Sequence, residues 1–287
     1  MRSLVKKLIL CAIPFVDSTI AWSIDSFSTY ESAEFYHDHA WQQWQVACDG
    51  LNMYSFNGNE AVIEIGCRGG RVAANVAGRV PRGIVVATEM RGAGAIAFAS
   101  KNYPQKLYPN LTFFEGDFLQ SPYRNSFDLA ISFSALHWYP DQRPILRKIY
   151  QALKPQGQIL FTIPAKPRPE MEALFDELLH MEAWQPYFAN YVHPRRKFTP
   201  DEYRGLLKEV GFTPFTASLR EGHYSFENKR ALIDWFRAFS PMLDKVPEDK
   251  REEFLADFAN LYAKRFPMSV DGHLPFVQDE LFIQAIK

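Results

Sequence analysis

The sequence predicts an α/β fold in which seven strands form a parallel sheet with helices on both faces. Three observations carry this. Short, nearly continuous apolar runs alternate with helix-periodic segments from residue 61 to residue 163, the pattern of strands buried on both faces and joined by helical crossovers. A glycine-bearing turn follows the first apolar run, where such sheets place their first strand-to-helix connection. Beyond Pro164 the pattern becomes mostly helical, interrupted by two further strands.

From about Phe27 to Phe56, Phe35, Trp41, Trp44 and Leu51 recur at helical spacing among polar residues, and Asn57-Gly58-Asn59 ends the stretch as a turn. Residues 24–57 are therefore expected to form a helical cap ahead of a main domain over residues 58–287. Ala61 to Gly66 reads as the first strand and its turn, Arg71 to Arg79 as a helix, Gly83 to Thr88 as a strand, Ala95 to Lys101 as a helix and Leu111 to Glu115 as a third strand. Phe127 to Phe133 is the fourth strand. Gln142 to Leu153 is a helix stopped by Lys154-Pro155-Gln156-Gly157, and Gln158 to Ile163 is the fifth strand. Glu170 to Trp184, Pro200 to Val210, Lys229 to Phe239 and Glu248 to Phe266 carry apolar residues at three- and four-residue spacing, which places helical insertions around 165–210 and 228–270. Thr213 to Arg220 and Leu281 to Ile286 complete the strands.

At 287 residues and 47% hydrophobic content the chain can bury a full core, which excludes disordered and low-complexity classes. Lys and Arg total 32 against 33 Asp and Glu, so no net field draws the chain to nucleic acid or an anionic membrane, and no nucleic-acid partner is expected. Aromatic residues make up 15% of the chain, enough for a ring-lined pocket as well as a core. Cys11, Cys48 and Cys67 form no C-x-x-C, which argues against a disulfide scaffold or a cysteine zinc site and makes the cytoplasm the expected location. The histidines are too dispersed for a metal site; His37 and His39, two apart, fall on different helix faces. The alternative location is export, because residues 1–23 resemble a signal: Arg2, Lys6 and Lys7 precede the apolar run Leu8 to Val16, and Ala21-Trp22-Ser23 has cleavage-site character. That run is too short to span a bilayer.

Ligands of open α/β sheets sit at the carboxyl ends of the strands, which directs attention to three turns. The first reads Glu64-Ile65-Gly66-Cys67-Arg68-Gly69-Gly70, where glycine lets backbone approach a ligand and Glu64 suits a cationic group such as an α-amino group. Arg68 breaks the G-x-G-x-x-G pattern of dinucleotide sites and disfavours a nicotinamide-dependent oxidoreductase. Glu89 follows Gly70 at about the 20-residue offset from which a carboxylate reaches a ribose diol. Glu115-Gly116-Asp117-Phe118 ends the third strand with an acid able to accept from an exocyclic amine. Three acid-bearing turns on successive parallel strands converge on one ligand-sized cleft.

Val62 to Cys67, Glu115-Gly116-Asp117, Phe127-Asp128-Leu129, Ser134-Ala135-Leu136-His137-Trp138 and Ala152-Leu153-Lys154-Pro155 resemble, in order, the motifs of class I S-adenosylmethionine-dependent methyltransferases. Ser132 to Trp138, Phe198 to Tyr203 and the helix-rich tail through Asp271-Gly272 resemble the trans-aconitate and juvenile-hormone-acid methyltransferase group. The resemblance runs from about residue 30 to the end. It implies a Rossmann-like, mostly parallel seven-stranded sheet whose last strand is reversed, with S-adenosyl-L-methionine as cofactor. It also implies that Glu64 and the turn Gly66, Cys67, Arg68, Gly69 and Gly70 hold the methionine part, Glu89 the ribose and Asp117 with Phe118 the adenine, with Met90 and Ser134 in the same site. The chain departs from the family at Glu64, Arg68, Glu89 and Gln156, where Asp, Gly, Asp and Gly are usual. Left-handed geometry at residue 68 would cost about 1–2 kcal/mol, and the arginine would either obstruct the donor or pair with its carboxylate.

The activity implied is O-methylation of a small carboxylic acid, which is already ionised at neutral pH, so positioning and exclusion of water replace acid–base catalysis. His137 and Trp138 are the expected catalytic pair, beside the transferable methyl and shaping the acceptor pocket. Tyr36, His37, His39, Trp41 and Trp44 are expected as a lid, and His193, Arg195 and Arg196 as a basic cluster for an acidic substrate. The alternative is a catalytically silent binding or regulatory protein, in which Arg68 and Gln156 mark lost cofactor use.

Overall fold

The computed structural model describes residues 28–90 and 92–287; the signal-like segment over residues 1–23 lies outside them. The strands are β1 (Ala61–Ile65), β2 (Ile84–Glu89), β3 (Leu111–Glu115), β4 (Phe127–Phe133), β5 (Leu153–Pro164), β6 (Phe215–Phe226) and β7 (Leu274–Ile286). They form one sheet of order β3-β2-β1-β4-β5-β7-β6. β1 pairs in parallel with β2 and with β4, so the winding reverses beside β1, where the crevice for a ligand opens. β7 inserts between β5 and β6 antiparallel to both, which is the reversed last strand.

The helices are α1 (Tyr30–His39), α2 (Trp41–Leu51), α3 (Arg71–Arg79), α4 (Ala93–Asn102), α5 (Arg143–Ala152), α6 (Pro169–Leu179), α7 (Gln185–Phe188), α8 (Pro200–Val210), α9 (Lys229–Arg237) and α10 (Arg251–Arg265). Alternate strand residues feed opposite faces of the sheet. Ile63 and Ile65 pack with Ile145 and Ile149 of α5 and Leu207 of α8, while Val62, Leu129 and Ile131 pack with Leu51 of α2 and Val76 of α3. A third core stands apart from these two. α1, α6, α7, α9 and α10 surround Phe226 and Phe276 at the outer ends of β6 and β7, with Trp184, Trp235, Phe236, Phe254 and Phe258 among the buried rings. Much of the aromatic content therefore builds the helical cap, at roughly 1.5–3 kcal/mol for each fully buried ring.

Several boundaries differ from those read in the sequence. The first helical stretch breaks at Ala40 (φ −88°, ψ 42°), because α1 packs on α4 and α9 while α2 lies on β4 and β5, and one straight helix cannot do both. The helix expected to Trp184 ends at Leu179, and α7 is separate. A 3₁₀ turn at Glu248–Lys250 precedes α10. β5 begins at Leu153, ahead of the expected Gln158, with Gln156 in left-handed geometry at φ 64°. β6 and β7 extend to Phe226 and back to Leu274, well beyond the expected strands.

Candidate active site

The turn after β1 is built around positive φ. Gly66 sits at φ 82°, where a Cβ would lie 2.3 Å from the Ala135 Cβ, and Gly70 at φ 80° would meet the Phe113 ring at 2.7 Å. The Gly66 and Cys67 amides donate to Thr88 O over 2.8 and 3.0 Å, tying the turn to β2. Arg68 adopts φ 49°, a conformation that costs a side-chain-bearing residue about 1–2 kcal/mol. The surroundings over-determine it. Its amide donates to Glu89 Oε2 over 2.9 Å, its guanidinium donates to Ser134 O over 2.7 Å and lies 4.8 Å from the Tyr36 ring centre.

Glu64 is 2% exposed. Its carboxyl accepts from the Ala73 amide in the first turn of α3, and Oε2 has no hydrogen-bond partner among the described residues. Burial, reinforced by the charge of Glu89, pushes its pKa up to about 8. A buried carboxyl with an unused oxygen at a glycine turn matches the α-ammonium of an S-adenosylmethionine molecule, so the residues fit that cofactor at this end.

Three cavities meet in the crevice. One of about 60 Å³ is lined by Glu64, Gly66, Cys67 and Gly69 with His37, Tyr36 and Trp44 from the cap. A second of about 20 Å³ is lined by Thr88, Glu89, Met90, Gly116, Phe118 and Trp138. The third, about 130 Å³, opens toward the cap and is lined by His137, Trp138, Ser134 and Arg195, by the rings of Phe175, Trp235, Phe236 and Phe239, and by Met171 and Met242. Arg68 is the one described residue that lines all three.

Charge in the large cavity is lopsided. Arg68, Lys166, Arg168, Arg195 and Lys197 line it against one acid, Asp279, which Arg168 already binds at 2.9 Å. The Arg195 guanidinium lies between Trp138 (4.6 Å) and Phe239 (4.8 Å) and donates to Phe239 O over 3.0 Å. Burial, then the charge of Arg195, lowers the pKa of Lys197 to about 8 and that of His193 to about 3, so His193 is neutral and accepts the Arg195 amide at Nδ1. The Trp235 Nε1–H is buried with no hydrogen-bond partner among the described residues.

Most of the expected site residues converge here, with exceptions. Ser134 lines the large cavity and neither of the smaller ones. Asp117 lines none, since its Oδ1 accepts from the Leu119 amide and from Tyr139 Oη, both at 2.9 Å. Gly70 supplies only the bend that starts α3. His39 turns back to Phe35, stacking at 4.1 Å, and Trp41 packs edge-on to Tyr224 and Phe226, so neither reaches the large cavity. Arg196 leaves the basic cluster for the Phe198 ring, and Lys197 takes its place. The segment from 192 to 198 belongs to no helix or strand, and its alternate residues 193, 195 and 197 line the large cavity; that two-residue spacing is the signal by which Lys197 could have been found. Among the described residues no helix is long and apolar enough to cross a membrane.

The methyltransferase-domain family profile matches residues 63–161, from β1 into β5. Juvenile hormone acid O-methyltransferase of Drosophila melanogaster is 28% identical over 214 residues, covering 71% of each chain. Trans-aconitate 2-methyltransferase of Variovorax paradoxus is 25% identical over 240 residues, covering 79% of this chain and 86% of that one. Among solved structures, a Haemonchus contortus phosphoethanolamine N-methyltransferase in complex with S-adenosyl-L-methionine superposes with a TM-score of 0.58 at 16% identity, covering 90% of this chain and 57% of that one, a likeness of fold. Sheet order, glycine turn and domain match together define a class I methyltransferase fold. The chain is an S-adenosylmethionine-dependent methyltransferase.

Proposed function

We propose that the chain methylates the carboxylate oxygen of a small acid with an apolar body. The observation that carries this is the large cavity, where five basic side chains face one acid that is itself paired and the remaining wall is aromatic and aliphatic. Its space of about 130 Å³ compares with the ~150 Å³ apolar cavity that admits benzene. The names of the two curated relatives, a juvenile hormone acid and a trans-aconitate methyltransferase, point to the same acceptor group.

When bound, S-adenosylmethionine supplies an electrophilic methyl group on a sulfonium, which an ionised carboxylate takes without a general base. On this reading Glu64 Oε2 receives the donor's ammonium, and the glycine turn brings backbone close to it. Glu89 and Phe118 stand on the nucleoside side. Arg195, held beside two rings, and Lys197 fix the acid, while the Trp235 Nε1–H offers a further donor to an acceptor oxygen. His137 and Trp138 exclude water between the two sites; both are buried.

Incubating the protein with methyl-labelled S-adenosylmethionine and phenylacetate, hexanoate, decanoate or trans-aconitate, each beside its amide or alcohol counterpart, tests this by mass detection of the product. Methyl esters of the apolar monoacids are expected. Methylation of amides or alcohols with no ester from any acid would overturn it.

A further inference from the structure

We infer that Arg68 serves the acceptor rather than the donor: its side chain withdraws from the donor crevice as the donor seats and turns into the large cavity, where its guanidinium holds the acid's carboxylate. This rests on the acid acceptor proposed above.

The two cavities beside Glu64 and Glu89, about 60 and 20 Å³, share Gly66 and Arg68 in their walls, and of these two only Arg68 carries a side chain. Such spaces hold one or a few waters and no nucleoside, so a donor that reaches both carboxylates needs the volume the guanidinium fills. The guanidinium donates to a neutral carbonyl, Ser134 O, lies over the face of Tyr36, and acts by its charge on the nearby Glu64 carboxyl. A carboxylate is a markedly stronger partner for a guanidinium than a carbonyl is. The route is short, because Tyr36 and Arg68 line the large cavity as well as the one beside Glu64. Charge drives the same movement. A sulfonium and a guanidinium repel at close range, whereas the acid's carboxylate attracts the guanidinium. The backbone stays in place, held by the Arg68 amide on Glu89, so only the side chain need swing. Donor and acid therefore favour each other's binding through one residue.

Titration calorimetry with S-adenosylhomocysteine, with and without phenylacetate, on the wild type, Arg68→Gly and Arg68→Lys tests this. Arg68→Gly relieves the left-handed strain and so keeps the fold. It is expected to bind S-adenosylhomocysteine on the order of 10-fold more tightly than the wild type without acid, and to lose the acid-induced gain in affinity that the wild type shows. In turnover its KM for the acid rises on the order of 10-fold while kcat changes little, and Arg68→Lys restores part of that loss. Unchanged or weaker S-adenosylhomocysteine binding by Arg68→Gly overturns the inference. If no carboxylate affects the wild type in binding or turnover, the acid acceptor fails instead, and the comparison without acid still decides whether the guanidinium bars the crevice.

Discussion

The Arg68 amide donates to Glu89 Oε2 over 2.9 Å, fastening the turn after β1 to the end of β2. The bond holds a strained arginine in place and sets a second buried carboxylate near Glu64, whose pKa it raises. Replacing Glu89 by Gln removes that charge. The pKa of Glu64 is expected to fall below about 8, which shows as a downward shift in the pH at which S-adenosylhomocysteine affinity begins to rise. Loss of the charge-assisted bond also costs about 1.5–3 kcal/mol of stability, read by urea denaturation.

If Glu64 receives the donor's ammonium as proposed, donor binding releases a proton. With its carboxyl neutral below about pH 8 in the free protein and ionised against an ammonium, affinity is expected to increase between pH 6.5 and 8.5. Calorimetry in buffers of different ionisation enthalpy measures the proton directly.

The same group weakens the free fold at high pH. Its folded pKa of about 8 lies above the unfolded value of about 4.3, so its contribution is full below the unfolded value and is lost as pH rises through the folded one. Glu64→Gln is expected to show a higher Tm than the wild type at pH 8.5, a smaller difference at pH 6, and a loss of the Tm gain on adding S-adenosylhomocysteine.

With the acid acceptor proposed above, Lys197 sets the opposite limb. Its pKa near 8 means that the charge facing the acid is lost above that pH, and KM for a carboxylate is expected to rise there. Lys197→Met should raise KM at pH 7 and flatten the dependence, with kcat little changed.

Gly66 leaves no room for a side chain. Gly66→Ala combines φ 82° with a Cβ 2.3 Å from that of Ala135, so a loss of more than about 2 kcal/mol is expected, with donor binding abolished in whatever folds.

The sheet was legible because β1, β2 and β4 are nearly unbroken apolar runs buried on both faces. The outer half of β6 was not, since Glu221 to Ser225 is polar and largely exposed on an edge strand, held by pairing with β7 rather than by an apolar pattern. The acidic turns at Glu64 and Glu89 could be read from their spacing. The walls of the large cavity could not, because Phe175, Trp235 and Phe258 come from separate helical segments whose apolar spacing reads equally as ordinary core. Left-handed geometry at Arg68 runs against residue preference and is imposed by Glu89, distant in sequence, together with the glycines around it.

The most direct measurement is a crystal structure of the chain with S-adenosylhomocysteine. One molecule is expected to span Glu64 and Glu89, with its amino group on Glu64 Oε2 and the Arg68 guanidinium gone from between them. A nucleoside bound elsewhere, or one accommodated with the guanidinium still on Ser134 O, would contradict it.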